Sequence, residues 1–279
     1  MRVFISADIE GITGQVSWKT CSAPTGDHPD FFFARRMMTH DVNSAIRGAR
    51  AAGATRVVVK DSHGYSRNLL IDELDPGVEL ISGSGAHPDG MMTGIDDGFD
   101  CAMLIGYHGM AGAEEGVMEH TITGGVHRFT LCGLPAGEMM LSAMTAAQYG
   151  VPLVTVSSDK AGCDEASNQF PGIETAVVKY GYGRYMARCL PPSETAGLIY
   201  EAASRGVGNA SHIKPWAKPD GAAWDCEIEF NRQEQADFCC RMPGTVKTDA
   251  YTVRYESDGP QNLHRGVRML MALAGLGDL

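Results

Sequence analysis

Residues 1–14, MRVFISADIEGITG, indicate the fold class and raise the question of function. The apolar residues 3–5 predict a buried strand, and this strand ends in two acids, Asp8 and Glu10. Side chains alternate with a period of two in a strand, so both carboxylates are expected on the same face. Two buried like charges repel each other and lose hydration. A positive partner is therefore expected at the end of this strand.

The rest of the first two thirds of the chain alternates between apolar strands and helices. Continuous apolar runs predict strands in RVFISA, TRVVVKDSH, VELISG, CAMLIGYHG and VPLVTVSSD. Apolar residues at helical spacing predict helices from about residue 32 to 52 and in EMMLSAMTAAQYG. Apolar strands joined by helices are typical of a parallel sheet with both faces covered. The predicted fold class is therefore α/β, with a mostly parallel sheet covered by helices.

The pattern changes at the two prolines 191–192. Ser193 is expected to be the N-cap of a helix. WDCEIEFNR and AYTVRYES then alternate apolar and polar residues, as antiparallel strands do, and a last helix is expected at about residues 261–274. We therefore predict an α/β domain over residues 1–190, carrying the site, and a smaller C-terminal α+β domain over residues 191–279.

Composition narrows the classes of partner. The 279 residues carry a net charge of −11 without a dense Lys/Arg run, which argues against nucleic acid and anionic membrane surfaces. The eight cysteines form no CxxC pair, and no secretory signal precedes the first strand, so buried free thiols and a cytoplasmic location are expected. No apolar run approaches the roughly 20 residues that cross a bilayer.

Candidate ligands follow three of the predicted strands. Asp8 and Glu10 follow the first, Asp61 and His63 follow the second, and His108 follows CAMLIGY. In open α/β sheets, ligands bind at the carboxyl ends of the strands, where the topology switches. Mixed carboxylate and imidazole ligands suit zinc or another late transition metal better than magnesium. The pattern therefore predicts a metal site at this edge of the sheet.

Three further residues are not decided by the pattern. Glu138 opens a predicted helix, where an acid is also favoured by the helix dipole. His120 and His127 both lie in GVMEHTITGGVHRF, and spacing does not choose between them.

The motifs together resemble a known family. SADIEGITG, DSHGYSRNLL, LISGSG, IGYHGMAGAEEGVMEHTI, AGEMMLSA and MPGTVKT occur in this order over nearly the whole chain. In this respect the chain resembles the zinc-dependent D-aminopeptidases, a family of self-compartmentalising bacterial and archaeal peptidases.

This resemblance implies a function and a set of site residues. It implies two zinc ions per chain, with Asp8 as the bridging carboxylate, and it selects His120 over His127 as a catalytic nucleophile or acid/base. It implies release of N-terminal D-amino acids from short peptides or amino-acid amides by metal-activated water, inside a homodecamer. The implied metal ligands are Asp8, Glu10, His63, His108 and Glu138.

Two alternatives remain open from the residues alone. DIEGITG also resembles the aspartyl-nucleophile phosphatases, in which Asp8 would be phosphorylated and magnesium would be the cofactor. Two observations count against this alternative. The second acid is Glu10, whereas those phosphatases usually have an aspartate there, and their chemistry gives no role to His63 and His108. The other alternative is a non-catalytic α/β module that binds a metal or a small ligand.

Overall fold

The computed structural model describes residues 1–21 and 29–277. Its α-helices are α1 (Pro29–Ala51), α2 (Glu138–Gln148), α3 (Lys160–Gln169), α4 (Pro192–Gly208), α5 (Gln233–Cys239) and α6 (Pro260–Gly275). Its strands are β1 (Arg2–Ala7), β2 (Arg56–Asp61), β3 (Glu79–Ile81), β4 (Cys101–Ile105), β5 (Val126–Leu131), β6 (Leu134–Pro135), β7 (Leu153–Asp159), β8 (Glu174–Gly181), β9 (Ala187–Cys189), β10 (Trp224–Phe230), β11 (Thr245–Lys247) and β12 (Thr252–Ser257).

The first sheet has seven strands in the order β3-β2-β1-β4-β7-β8-β9. All neighbouring pairs are parallel except β8 with β9. Strand β1 lies between β2 and β4, with Ile5 opposite both Val59 and Met103. The strand order reverses between β1 and β4, which makes the carboxyl ends of these strands the switch point where α/β proteins bind ligands. The predicted fold class is confirmed.

Both faces of this sheet are covered, as the apolar strands predict. Val3 and Ile5 point to one face and belong to a core cluster shared with α1 and α4, whereas Phe4 points to the other face. The cluster around Phe4 includes α2, α6 and the second sheet. The period of two in β1 thus divides its side chains between two apolar layers.

The second sheet has five strands in the order β11-β12-β10-β5-β6, and its neighbouring pairs are antiparallel. Strand β5 pairs with β10, so that Phe129 lies opposite Ile228. Residues 126–135 therefore share a sheet with residues 224–257. The division of the chain into domains at residue 190 stays a prediction.

The start of α4 differs from expectation. The helix begins at Pro192, with Pro191 as the N-cap, and Ser193 lies inside the first turn. Pro192 suits the first position of the helix because the fixed φ of proline matches the helix and an N–H at this position would have no partner within the helix. The prediction of Ser193 as the N-cap was wrong.

Two further expectations concern buried free thiols and segments long enough to cross a membrane. All eight cysteines are free thiols; six are buried, and Cys189 and Cys240 are exposed. Among the described residues, no helix is both long and apolar enough to pass through a membrane.

Candidate active site

Two carboxylates and an imidazole meet where β1 and β2 end. Nδ1 of His63 lies 3.2 Å from Oδ1 of Asp8 and 3.1 Å from Oε2 of Glu10. Both acids are almost completely buried. Asp8 and Glu10 therefore turn toward one point as predicted, but β1 ends at Ala7, so both acids lie in the loop that follows the strand and the alternation of side chains along a strand is not the reason.

A second group of side chains adjoins the first through Asp8. Nε2 of His108 lies 3.6 Å from Oδ2 of Asp8 and 3.4 Å from Oε1 of Glu138. His120 stacks on His108 with ring centroids 4.1 Å apart, and its Nε2 lies 3.5 Å from the same Glu138 oxygen. Glu138 is the first residue of α2, and Oε1 also accepts a hydrogen bond from the Ile122 N–H at 2.7 Å. All six residues selected by the resemblance thus lie in one cluster.

Each of the three imidazoles in the cluster is oriented by a main-chain carbonyl. In every ring one nitrogen lies 3.0 Å from a carbonyl oxygen: His63 Nε2 from that of Cys21, His108 Nδ1 from that of Gly109, and His120 Nδ1 from that of Met118. A carbonyl oxygen only accepts hydrogen bonds, so these nitrogens are the donors and carry the hydrogen. The other nitrogen of each ring therefore faces the carboxylates, either with a lone pair for a metal or with a second proton.

Two glycines let the loops after β1 and β4 approach closely. A Cβ on Gly11 would lie 1.7 Å from the carbonyl oxygen of Tyr107. Gly106 has a φ of +74°, and a Cβ there would lie 2.3 Å from the carbonyl oxygen of Asp8. A side chain at either position would push apart the loops that carry Asp8 and His108.

Lys179 holds the loop that contains Glu10. Its ammonium, completely buried on β8, donates hydrogen bonds to the carbonyl oxygens of Glu10 (2.5 Å), Gln15 (2.7 Å) and Ile12 (3.0 Å). Burial lowers the pKa of this lysine. The lysine thus fixes the main chain beside the candidate ligands.

The segment around His120 has an unusual backbone. Met118 and Ile122 have φ values of 57° and 64°, in the left-handed region that β-branched residues such as isoleucine rarely adopt. Such a conformation costs about 1–3 kcal/mol and persists only where its surroundings impose it. The hydrogen bond from Ile122 to Glu138 is one such constraint.

The charges in the cluster are strongly coupled. Burial and the neighbouring Glu10 raise the pKa of Asp8 to about 7. Burial opposes ionisation of Glu138 as well, but His108 lowers its pKa to about 2. Burial disfavours the charged imidazoles, yet the facing carboxylates, led by Glu10 for His63 and by Glu138 for His108, raise the pKa of both rings well above the usual value. The cluster therefore attracts positive charge, as protons or as metal ions.

A cavity of about 710 Å³ opens onto the cluster. This volume is typical of small-molecule sites. Burial and the neighbouring His108 lower the pKa of His120, which favours a neutral ring, and the Trp18 ring packs against it with its centroid 4.9 Å away. The cluster residues that line the cavity are Asp8, Glu10, His63, His120 and Glu138.

Two candidates from the sequence lie outside the cluster. The Asp61 carboxylate accepts hydrogen bonds from the N–H groups of Asn68 and Leu69 and from the Asn68 side chain, at 2.6–2.8 Å, so it supports the loop after β2. His127 is exposed on β5. Conversely, Lys60 and Lys179 were missed, although a lysine inside an apolar strand is a signal that could have found them.

A parallel sheet with a buried carboxylate–imidazole cluster at its switch point, open to a cavity, is typical of metal-dependent hydrolases. A profile of the D-aminopeptidase family matches residues 1–269, and the chain belongs to this family. A D-aminopeptidase of Bacillus subtilis (strain 168) is 33% identical over 275 residues, which cover 98% of each chain.

The structural comparison agrees with the sequence comparison. The Zn-dependent D-aminopeptidase DppA from Bacillus subtilis, a self-compartmentalizing protease, has a similar structure with a TM-score of 0.92 and 33% identity. The match covers 99% of this chain and 98% of that one. The family predicted from the motifs is confirmed, and the phosphatase and the non-catalytic module are set aside.

Proposed function

We propose that this chain is a zinc-dependent aminopeptidase that releases N-terminal D-amino acids from short peptides. The observation that carries the proposal is the arrangement of three imidazoles, His108 and His120 buried and His63 half-buried, each turned by a main-chain carbonyl so that its other nitrogen faces a carboxylate. Membership of the D-aminopeptidase family and the zinc dependence of the similar Bacillus subtilis protein support the same function.

The side chains fit a metal. Among the described residues, Nε2 of His108 is a buried nitrogen without a hydrogen-bond partner, although carboxylate oxygens of Asp8 and Glu138 lie 3.6 and 3.4 Å away. A ring nitrogen surrounded in this way is expected of a metal ligand.

Asp8 would bridge two ions, because its two oxygens face different imidazoles. Oδ1 faces His63 beside Glu10, whereas Oδ2 faces His108 beside Glu138. These five residues would therefore hold two zinc ions, with Asp8 shared between them. Bound zinc would supply Lewis acidity and lower the pKa of a coordinated water toward neutrality.

His120 is proposed to accept a proton from the attacking water at Nε2 and to pass it to the leaving amine. Its Nδ1–H is fixed by the Met118 carbonyl, so Nε2 is the nitrogen that exchanges protons, and the ring lines the cavity. Burial favours its neutral form, while Glu138 at 3.5 Å stabilises the imidazolium once it forms. Trp18, packed against the ring, would shield this proton from bulk water.

The first test is elemental analysis of the purified chain, wild type beside Asp8→Ala, with the exposed Asp220→Ala as control. We expect about two zinc ions per wild-type chain, a sharp fall in Asp8→Ala and no change in the control. Aminoacyl peptides with D- and L-residues at the N-terminus would then be compared as substrates. Unchanged zinc in Asp8→Ala would refute the bridged site, and equal turnover of L-peptides would refute the D-specificity.

We also propose that the chain acts in the cytoplasm as a homo-oligomer, with ten copies. The self-compartmentalizing relative supports a homo-oligomer. The number of copies follows from the resemblance of the sequence motifs to the family. Light scattering after size exclusion should then give a mass ten times that of the 279-residue chain. A monomer would refute the homo-oligomer, and an oligomer of any other size would refute the ten copies.

A further inference from the structure

The cavity carries positive charge apart from the zinc-binding cluster. Among the described lining residues, all the acids belong to the cluster, whereas Lys60, His87 and Arg268 line the rest of the wall. His87 has Asp89 as a partner at 3.8 Å. Two strong cations thus face the cavity without an acid of their own on its wall.

Lys60 is held in place by neutral hydrogen-bond acceptors; burial lowers its pKa, and the charge of the neighbouring Asp61 carboxylate partly offsets this. It is 5% exposed, and its ammonium donates hydrogen bonds to the Ser66 hydroxyl at 2.9 Å and to the main-chain oxygen of Asp61, both of which are neutral acceptors. The Asp61 carboxylate is engaged by Asn68 and Leu69. An ammonium has three N–H donors, so one remains for a ligand, and a buried cation favours an anionic one.

The frame around Lys60 is rigidly built. Ser66 has a φ of 55°, in the left-handed region, and its carbonyl oxygen accepts hydrogen bonds from the Gly83 N–H (2.6 Å) and the Ser82 hydroxyl (2.8 Å). Lys60, Ser66, Ser82 and Gly83 all line the cavity. Lys60 therefore belongs to a polar part of the cavity wall whose main chain is held by these hydrogen bonds.

Arg268 supplies the second cation, from α6. Its side chain is exposed, and within residues 1–21 and 29–277 it forms no ion pair. A guanidinium is a planar fork of donors that matches a carboxylate. Arg265 lies on the same helix but lines a different pocket, so it offers a matched control.

We propose that Lys60 and Arg268 bind the C-terminal carboxylate of a short peptide whose N-terminus lies at the zinc-binding cluster. This inference rests on the proposed function, because it assigns the opposite end of the substrate in the same cavity. It makes peptides with a free C-terminal carboxylate the preferred substrate class, in preference to peptide amides and amino-acid amides.

The test compares D-alanyl-D-alanine with its C-terminal amide, using zinc-supplied wild type, Arg268→Gln and Arg265→Gln. We expect the wild type to prefer the free acid. Arg268→Gln should lower kcat/KM for the acid about 10–100-fold, mainly through KM, as expected for the loss of a charged hydrogen bond to substrate. The amide should be little affected, Arg268→Lys should restore part of the preference, and Arg265→Gln should behave as wild type. Lys60→Gln should lower the same acid-to-amide ratio.

The outcomes separate the two proposals. If the wild type cleaves the acid and the amide equally well, or if Arg268→Gln slows both to the same degree, the carboxylate site is refuted and the aminopeptidase stands. If the zinc-supplied wild type cleaves neither compound nor any other D-aminoacyl peptide, the proposed function is refuted and this inference with it.

Discussion

Replacing Lys179 by methionine tests whether this buried lysine supports the metal site. The change keeps most of the side-chain volume but removes the ammonium that bonds three main-chain oxygens, those of Glu10, Ile12 and Gln15. A buried carbonyl left without a partner costs about 1–3 kcal/mol. The gain from no longer burying a charge offsets part of this, because the desolvation of an ion costs several kcal/mol. We expect a net loss of about 2–4 kcal/mol in the free energy of unfolding.

The assay is thermal unfolding followed by circular dichroism, with zinc content measured on the same samples. A loss of this size lowers the Tm by roughly 5–15 °C in a chain of this length. Zinc content should fall as well, because the loop that carries Glu10 loses its anchor. The control is Lys160→Met, which removes an exposed lysine paired with Asp164 and should leave both readouts unchanged.

Two results would refute this reasoning. The first is a Lys179→Met protein with the Tm and zinc content of the Lys160→Met control. The second is a lower Tm with full zinc content, which would show that Lys179 stabilises the fold without positioning Glu10. If Lys179→Met does not accumulate as folded protein, Lys179→Arg keeps the charge and should recover part of the loss.

Three further predictions follow from the imidazoles. The facing carboxylates raise the pKa of His63 and His108, so zinc must displace protons from these rings in order to bind. The zinc affinity measured by competition with a chelator should therefore be higher at pH 8 than at pH 6. An affinity that does not change with pH would contradict this prediction. His120→Ala should keep its zinc but lose about 100-fold or more in kcat, with partial rescue by added imidazole, whereas loss of zinc would make His120 a ligand. Burial and the nearby Arg268 lower the pKa of His264 from 6.5 to about 4, so the unfolded chain binds a proton more readily between these values. The contribution of His264 to the free energy of unfolding should therefore be fully present above pH 6.5 and fall by roughly 3 kcal/mol toward pH 4. The difference between the wild type and His264→Gln should follow this profile, and parallel profiles for the two proteins would exclude this role.

The parts of the fold that local pattern determines were predictable from the sequence. The apolar runs of β1, β2, β4 and β7 are fully buried strands, and such runs are distinctive because both faces of the sheet are covered. Ligands of α/β proteins bind at the carboxyl ends of the strands, and this rule predicts that four side chains lie close together, those of Asp8, Glu10, His63 and His108.

The pairing of β5 with β10 was not predictable in this way. It joins Phe129 to Ile228, nearly a hundred residues apart, and nothing in either segment specifies the other. Partner choice in a sheet depends on the tertiary packing of both strands. The same limit applies to the choice between His120 and His127, because only the path of the loop between β4 and β5 puts His120 in the cluster and His127 at an exposed position of the half-buried strand β5.

The repulsion between Asp8 and Glu10 is the price of a site that is prepared in advance. Main-chain carbonyls orient His63, His108 and His120, and Lys179 fixes the loop through main-chain oxygens rather than through the acids. The carboxylates are thus left available for a cation, while the geometry is maintained by groups that do not compete for it. A lysine paired directly with Glu10 would have relieved the repulsion equally well, but it would have occupied the position that a metal ion needs. The acids are left to bind a cation while other groups hold the loops, which explains how a buried strand can end in two acids and remain stable.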